Sequence, residues 1–214
     1  MAKLRITYNA PVVLTFALAA VAVQILSQVI GLGFVRYFVA PTHLDGAASY
    51  LGLVTHILGH ANWDHLLSNF TIILLIGPIL EERHGSAALA VMIVITALVT
   101  GLINVTFSSH PLLGASGIAF MFVVLASMAN IRHGEVPLTF IAIALLFLGR
   151  EVVNSFRDDN VSQMAHLVGG ATGGLFGFLG AKRDPKAAKA AKPLPPLVAP
   201  AQPARRPGSP TDAA

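Results

Sequence analysis

The sequence predicts an all-α membrane protein built as a bundle of six transmembrane helices, and three observations carry that prediction. Hydrophobic residues make up 55% of the 214 and charged residues only 11%, against about 25% in soluble domains, and mean hydropathy is +0.72. Six charge-poor stretches are separated by short charged or turn-forming segments. Lysine and arginine fall at the chain ends and in those segments, not along one face. Despite a net charge of +4 and a pI near 9.8, that is the pattern of membrane orientation and not of nucleic-acid binding. With no cysteine, disulfides, thiolate metal sites and a cysteine nucleophile are excluded.

The first stretch, Ala10 to Val35, is 26 residues without charge and reaches about 39 Å as a helix, enough to cross a ~30 Å hydrocarbon core with tilt. Lys3 and Arg5 followed by Ala17-Leu-Ala19 or Ala20-Val-Ala22 resemble a signal peptide with its cleavage site. The apolar run continues well past both, so an uncleaved first helix is expected. Further spans follow at Leu66 to Leu80, Ala87 to Phe107, Leu112 to Ile131, Val136 to Gly149 and Val161 to Gly180. The second and fifth are short, so their helices are expected to extend into flanking residues, tilt little or meet thin bilayer.

Six spans put both termini on one side. Eleven of the 14 lysines and arginines then share that side, against Arg36, Arg150 and Arg157 on the other, which makes it the cytoplasmic side. The expected organisation is a cytoplasmic N-terminus (1–10), the six-helix domain (11–181) and a disordered cytoplasmic tail (182–214). Proline, alanine and lysine in that tail cannot build a core, and its lysines are suited to anionic lipid.

Polar groups within a bilayer are costly, so those that occur there call for a reason. His60-Ala-Asn-Trp-Asp-His65-Leu-Leu-Ser-Asn69 leads into the second span, and the spacing of His65 and Asn69 puts both side chains on one helix face. Gly114-Ala-Ser116-Gly117 opens the fourth span. A serine there sits beside free backbone N–H groups and the positive end of the helix dipole, a setting suited to a developing oxyanion. Read alone, such a serine is commonly just a helix cap or packing residue.

In the sixth span His166 precedes a run in which Gly169, Gly173 and Gly177 recur every four residues, as do Gly170 and Gly174. These give a surface on which a neighbouring helix packs closely; if that neighbour is the fourth helix, His166 comes within reach of Ser116. A single intramembrane histidine is otherwise a structural hydrogen bonder, and a glycine ladder alone signals only packing. Glu81-Glu-Arg83-His84-Gly85, after the second span, is expected to cap and solvate a cytoplasmic turn. Together, Ser116, His166, His65 and Asn69 enter from the non-cytoplasmic side on even-numbered helices. They form a nucleophile, a base and two donors near one depth. No carboxylate completes a triad, which leaves a Ser116–His166 dyad.

These motifs resemble the rhomboid family of intramembrane serine proteases over about residues 55 to 180. The resemblance rests on HxxxN at His65 and Asn69, GxSG around Ser116, and the His-x-x-Gly beginning at His166, in the family's order. It implies that Ser116 attacks the scissile carbonyl while His166 transfers the proton. The Ser116 N–H, His65 and Asn69 would stabilise the oxyanion, with Gly114, Gly117, Gly169, Gly170 and Gly173 packing the helices. His60 matches an additional upstream histidine of the family, giving polar support. Two departures stand out: Leu51-Gly52 where many members have Trp-Arg, and Phe120 where many bacterial members have tyrosine.

The implied function is endopeptidase cleavage of transmembrane protein substrates, with no cofactor and no metal. The alternative is a catalytically silent rhomboid-like protein that binds transmembrane clients. A third class, a metal or proton carrier, would use His56, His60, His65 and His166, but the His56/His60 pair lacks the glutamate of a zinc-protease motif. The expected location is a bacterial cytoplasmic membrane, in contact with lipid and not with nucleic acid. Neither substrate nor oligomeric state is written in the sequence.

Overall fold

The computed structural model describes residues 7–128, 138, 141–142, 145–146 and 163–181. In chain order the helices are α1 (Pro11–Ile30), a single turn α2 (Leu32–Val35) continued by a 3-10 turn (Arg36–Phe38), α3 (Ala47–Thr55), α4 (Trp63–His84), α5 (Ser86–Phe107), α6 (Ser116–Ser127) and α7 (Gln163–Ala181). Helices α1, α4 and α5 are long and apolar enough to cross a membrane. The only strand-like pairing among the described residues is an isolated bridge between Ala40 and Leu112. Nine of the fourteen residues of the expected fifth span, 136–149, lie outside the described residues, as does the whole 182–214 tail.

Helix ends fall where local chemistry puts them. α1 stops at Ile30, short of the expected Val35. Gly31 adopts φ +87, a left-handed conformation that glycine takes freely, and its N–H closes on the Ser27 carbonyl at 3.0 Å. α4 runs past Leu66 and Leu80 at both ends. Its first turn is capped by the Asn62 side chain, which accepts from the His65 N–H at 2.8 Å; Asp64 lies at the positive end of the helix dipole, and Arg83 and His84 at the negative end. The charges that bounded the apolar stretch are thus the helix's own termini. α6 begins at Ser116, not Leu112, because residues 108–115 form an irregular segment, exposed at Ser109 to Pro111 and buried at Leu112, Gly114 and Ala115.

α3 has no counterpart among the six expected spans. Nine residues are too few to cross, and the helix lies against the segment before it. A Cβ at Gly52 would fall on the Val39 carbonyl oxygen, so this position admits only glycine here. Thr55 donates its hydroxyl to the Tyr37 carbonyl across the same contact.

α6 is the central helix and packs on α4, α5 and α7. Ile118, Met121, Phe122 and Leu125 are buried in one apolar cluster with Val13 and Phe16 of α1, Phe70 and Ile73 of α4, and Ile93 and Ala97 of α5. At Gly77 three elements meet: a Cβ there would come within 2.8 Å of Val13 and 2.9 Å of Phe122.

The Glu81 carboxylate departs from the expected solvated turn. It is 3% exposed and accepts from the Val12 and Val13 N–H groups, both at 3.0 Å, and from the Ser86 hydroxyl at 2.7 Å. α1 has no cap of its own, because Ala10 has no side-chain acceptor, and Pro11 has no N–H to satisfy. A distant carboxylate supplies what the local sequence lacks, tying the start of α1 to the α4–α5 turn.

The α6–α7 contact is backbone on backbone. A Cβ at Gly169 would fall on the Gly117 carbonyl oxygen, and one at Gly173 would overlap the Met121 carbonyl oxygen. At Gly170 the nearest neighbour is the Val124 side chain at 3.7 Å, ordinary van der Waals distance. Gly169→Val is therefore expected to force the helices apart and cost about 1–3 kcal/mol, whereas Gly170→Ala leaves stability nearly unchanged; thermal unfolding of the two variants in detergent checks the contrast.

Candidate active site

The chain approaches Ser116 through a segment held at successive backbone points. Ala40 and Leu112 exchange two hydrogen bonds, of 2.8 and 2.9 Å. The Gly114 N–H donates to the His56 carbonyl at 3.0 Å, and the Ala115 N–H donates to Nε2 of His60 at 3.3 Å. Gly114 is required twice over. Its φ of +120 is unfavourable for other residues, and a Cβ would lie 2.7 Å from Cε1 of His65.

With Gly114 and Ala115 so occupied, helix α6 starts with open donors. Its first intrahelical bond runs from the Ala119 N–H to the Ala115 carbonyl at 2.9 Å. The N–H groups of Ser116, Gly117 and Ile118 precede that bond and lie at the positive end of the helix. The N-cap is Ala115, and no side chain caps the helix, so Ser116 is its first residue and not its cap. Half-buried, it borders a contact surface without belonging to the core.

His65 and Asn69 stand one turn apart on α4 and converge on the same segment. The position a Cβ would take on Gly114 is 2.8 Å from Nε2 of His65 and 3.6 Å from Nδ2 of Asn69. Asn69 is buried, and its Nδ2 has no hydrogen-bond partner among the described residues. A buried donor left unpaired costs roughly 1–3 kcal/mol, an expense that needs a compensating purpose.

His166 lies in the first turn of α7. Its ring stacks on Phe120 at 4.3 Å between centroids, with planes 4° apart. Phe120 is one turn beyond Ser116, so this face-to-face contact orients the imidazole relative to α6. A Cβ at Gly117 would lie 3.2 Å from the Ala165 carbonyl oxygen, which brings the residues following Ser116 and preceding His166 together. His65 and His166 are also within electrostatic reach of each other. The structure thus gathers the starts of α4, α6 and α7 at one place. Absence of the tyrosine hydroxyl at Phe120 leaves the stack intact.

Sequence reasoning expected polar support from His60 but missed that given by His56. His56 is buried, with Nδ1 3.2 Å from the Gly52 carbonyl oxygen and Nε2 3.3 Å from the Thr100 hydroxyl. In His60, Nδ1 is 3.2 Å from the Leu58 carbonyl oxygen, which fixes it as the N–H and leaves Nε2 to accept from Ala115. The His60 ring also meets the His65 ring edge-on at 5.1 Å. The one lone pair of His60 is used by the backbone, so this ring is a structural acceptor and not a metal ligand. The available signal was the i, i+4 pair of threonines, Thr96 and Thr100, within the apolar run of α5.

A model described as the Rhomboid domain matches residues 47–183. YdcA of Bacillus subtilis, whose name assigns it to the rhomboid proteases, is 34% identical over 139 residues, covering 59% of this chain and 65% of that protein. Rhomboid-related protein 1 of Caenorhabditis elegans is 28% identical over 131 residues, covering 56% of this chain but 37% of that one. The rhomboid protease GlpG of Haemophilus influenzae is 23% identical over 132 residues, covering 60% and 69%.

Burial pushes His56 and His60 down to about 4, because charging either ring would strip water from an imidazolium with no anion among the described residues to meet it. Both rings stay neutral in the folded chain where the unfolded chain, titrating near 6.5, takes up protons. Stability is thus expected to be independent of these groups above pH ~6.5. It falls between pH ~6.5 and ~4, on the order of 1 kcal/mol per pH unit for each ring. Thermal midpoints in detergent from pH 4 to 8 measure the slope, and His60→Gln should make it shallower.

Proposed function

The chain belongs to the rhomboid family, and from that premise we propose that it is an intramembrane serine endopeptidase using Ser116 and His166 as a dyad. It is an integral membrane protein, as its apolar helices and family require. The observation that carries the proposal is the buried, unpaired Nδ2 of Asn69 beside His65 and Gly114, at the start of the helix that Ser116 opens. Donors held in a protein without ground-state partners suit a charge that develops only during reaction.

In the proposed mechanism, unprotonated His166 accepts the Ser116 hydroxyl proton as Oγ bonds to the scissile carbonyl carbon. The carbonyl oxygen becomes an oxyanion, stabilised by the Ser116 N–H, the His65 ring N–H and the Asn69 carboxamide. Collapse breaks the C–N bond, and the imidazolium returns its proton to the leaving amine. Water then attacks the acyl-enzyme ester by the same path in reverse, releasing the acid and restoring Ser116. Stacking on Phe120 supports this by restricting His166 to one ring plane through both transfers.

The proposed substrates are transmembrane segments of membrane proteins. A helical substrate hides its carbonyls in its own hydrogen-bond ladder, so the segment must unwind before attack, which favours sequences with helix-weakening residues near the cleaved bond. The charge asymmetry supports an orientation with both termini cytoplasmic and the site open to the outer side, in a bacterial cytoplasmic membrane.

Ser116→Ala and His166→Ala are each expected to abolish cleavage of a model transmembrane substrate and labelling by a fluorophosphonate. Asn69→Ala should lower kcat about a hundredfold with little change in KM. Cleavage persisting in both the serine and histidine variants would overturn the assignment.

A further inference from the structure

The glycine seam between α6 and α7 allows close approach, but a surface without side chains does little to fix rotation or sliding. A directional contact beside that seam on α7 can do so. The Thr96 hydroxyl of α5 donates to the Thr172 hydroxyl of α7 at 3.2 Å, and Thr172 donates in turn to the Gly169 carbonyl at 2.9 Å. Gly169 is the residue that rests on the Gly117 carbonyl, immediately after Ser116.

The chain of contacts continues along α5. The Thr100 hydroxyl donates to the Thr96 carbonyl at 2.8 Å and stands 3.3 Å from Nε2 of His56, whose carbonyl accepts the Gly114 N–H. One polar path therefore leads from the helix bearing His166, through α5, to the segment preceding Ser116. Thr96 is fully buried, and Thr172 is half-buried at the α5–α7 contact. At 100° per residue, Thr172, Gly169 and His166 occupy successive sectors of α7, so a rotation that breaks the threonine pair also turns His166 away.

We propose that Thr96 and Thr172 are a positioning pair that sets the rotation and depth of α7, and with them the placement of His166 relative to Ser116. This rests on the dyad reading above. The pair touches neither substrate nor reacting atoms; it acts through the helix. The two members differ in consequence. Removing the Thr172 hydroxyl deprives the buried Thr96 donor of its acceptor, whereas removing that of Thr96 leaves Thr172 bonded to Gly169, so Thr172→Val should be the more damaging change.

The test uses the full chain in detergent or proteoliposomes with a model transmembrane substrate. Thr172→Val is expected to lower kcat about tenfold or more, with KM within about twofold of wild type, because small misplacement of a reacting group costs rate before binding. Thr172→Ser should restore kcat. A readout independent of activity is available because the chain has no cysteine. The position of a Gly170 Cβ lies 3.7 Å from Val124, so a Val124→Cys/Gly170→Cys pair reports α6–α7 registration by its oxidation rate. That rate is expected to change when Thr172→Val is added.

Wild-type kcat together with an unchanged oxidation rate in Thr172→Val would overturn the proposal. So would parallel loss of activity and thermal stability that Thr172→Ser does not restore, since that marks packing alone. If the wild-type chain cleaves nothing, the dyad reading fails. The oxidation rate then still decides the positioning role: a change upholds it, and an unchanged rate overturns it.

Discussion

The constraint on which the site depends is the direct contact of two backbones, Gly169 of α7 on the carbonyl of Gly117 in α6. In hydrocarbon no solvent drives helices together, so association depends on how closely their backbones and side chains can pack. Placing the contact one residue after Ser116 and three after His166 makes it part of the site's geometry. Any side chain at Gly169 would move the imidazole as well as the helix. The same contact allows the Phe120 ring to meet His166 face to face.

Around that contact the protein satisfies its buried backbone with whatever acceptors lie near. The irregular segment before α6 cannot use a helical ladder, and where it is buried, at Leu112, Gly114 and Ala115, its N–H groups cannot rely on water. His56 offers its carbonyl and His60 a ring nitrogen, each accepting one amide. Glu81 performs a similar service for α1 at the other end of the bundle. Because these partners are distant in sequence, the precision of the Ser116 environment belongs to the assembled bundle and not to the GxSG segment. Beyond Ala115, the amides of Ser116, Gly117 and Ile118 precede the first bond of α6, and those are the ones beside the proposed nucleophile.

Much of the fold was legible because hydrophobic length and charge are local properties. The α5 helix agrees with the apolar stretch to within one residue at its start, and α7 begins within two. Errors arose where a helix end is settled by conformation or capping. Gly31 ended α1 inside an unbroken apolar run, and Asn62 carried α4 upstream through charged residues. α3 was invisible because a nine-residue helix with Ala, Ser and Gly carries no span-length signal. Glu81 looked like a surface charge because nothing near it in sequence announces that the N-terminus of α1 arrives there.

From the sequence alone came the solvent this chain folds in, the residue types able to perform acyl transfer, and the order in which the helices present them. Those properties depend on composition and on spacing within single helices. Tertiary structure decided which amides stay unbonded at the start of α6, which glycines touch another backbone, and which polar side chains serve the frame. Each of those outcomes needs two segments far apart in the chain to meet, and hydrogen-bond direction and backbone contact are properties of the meeting.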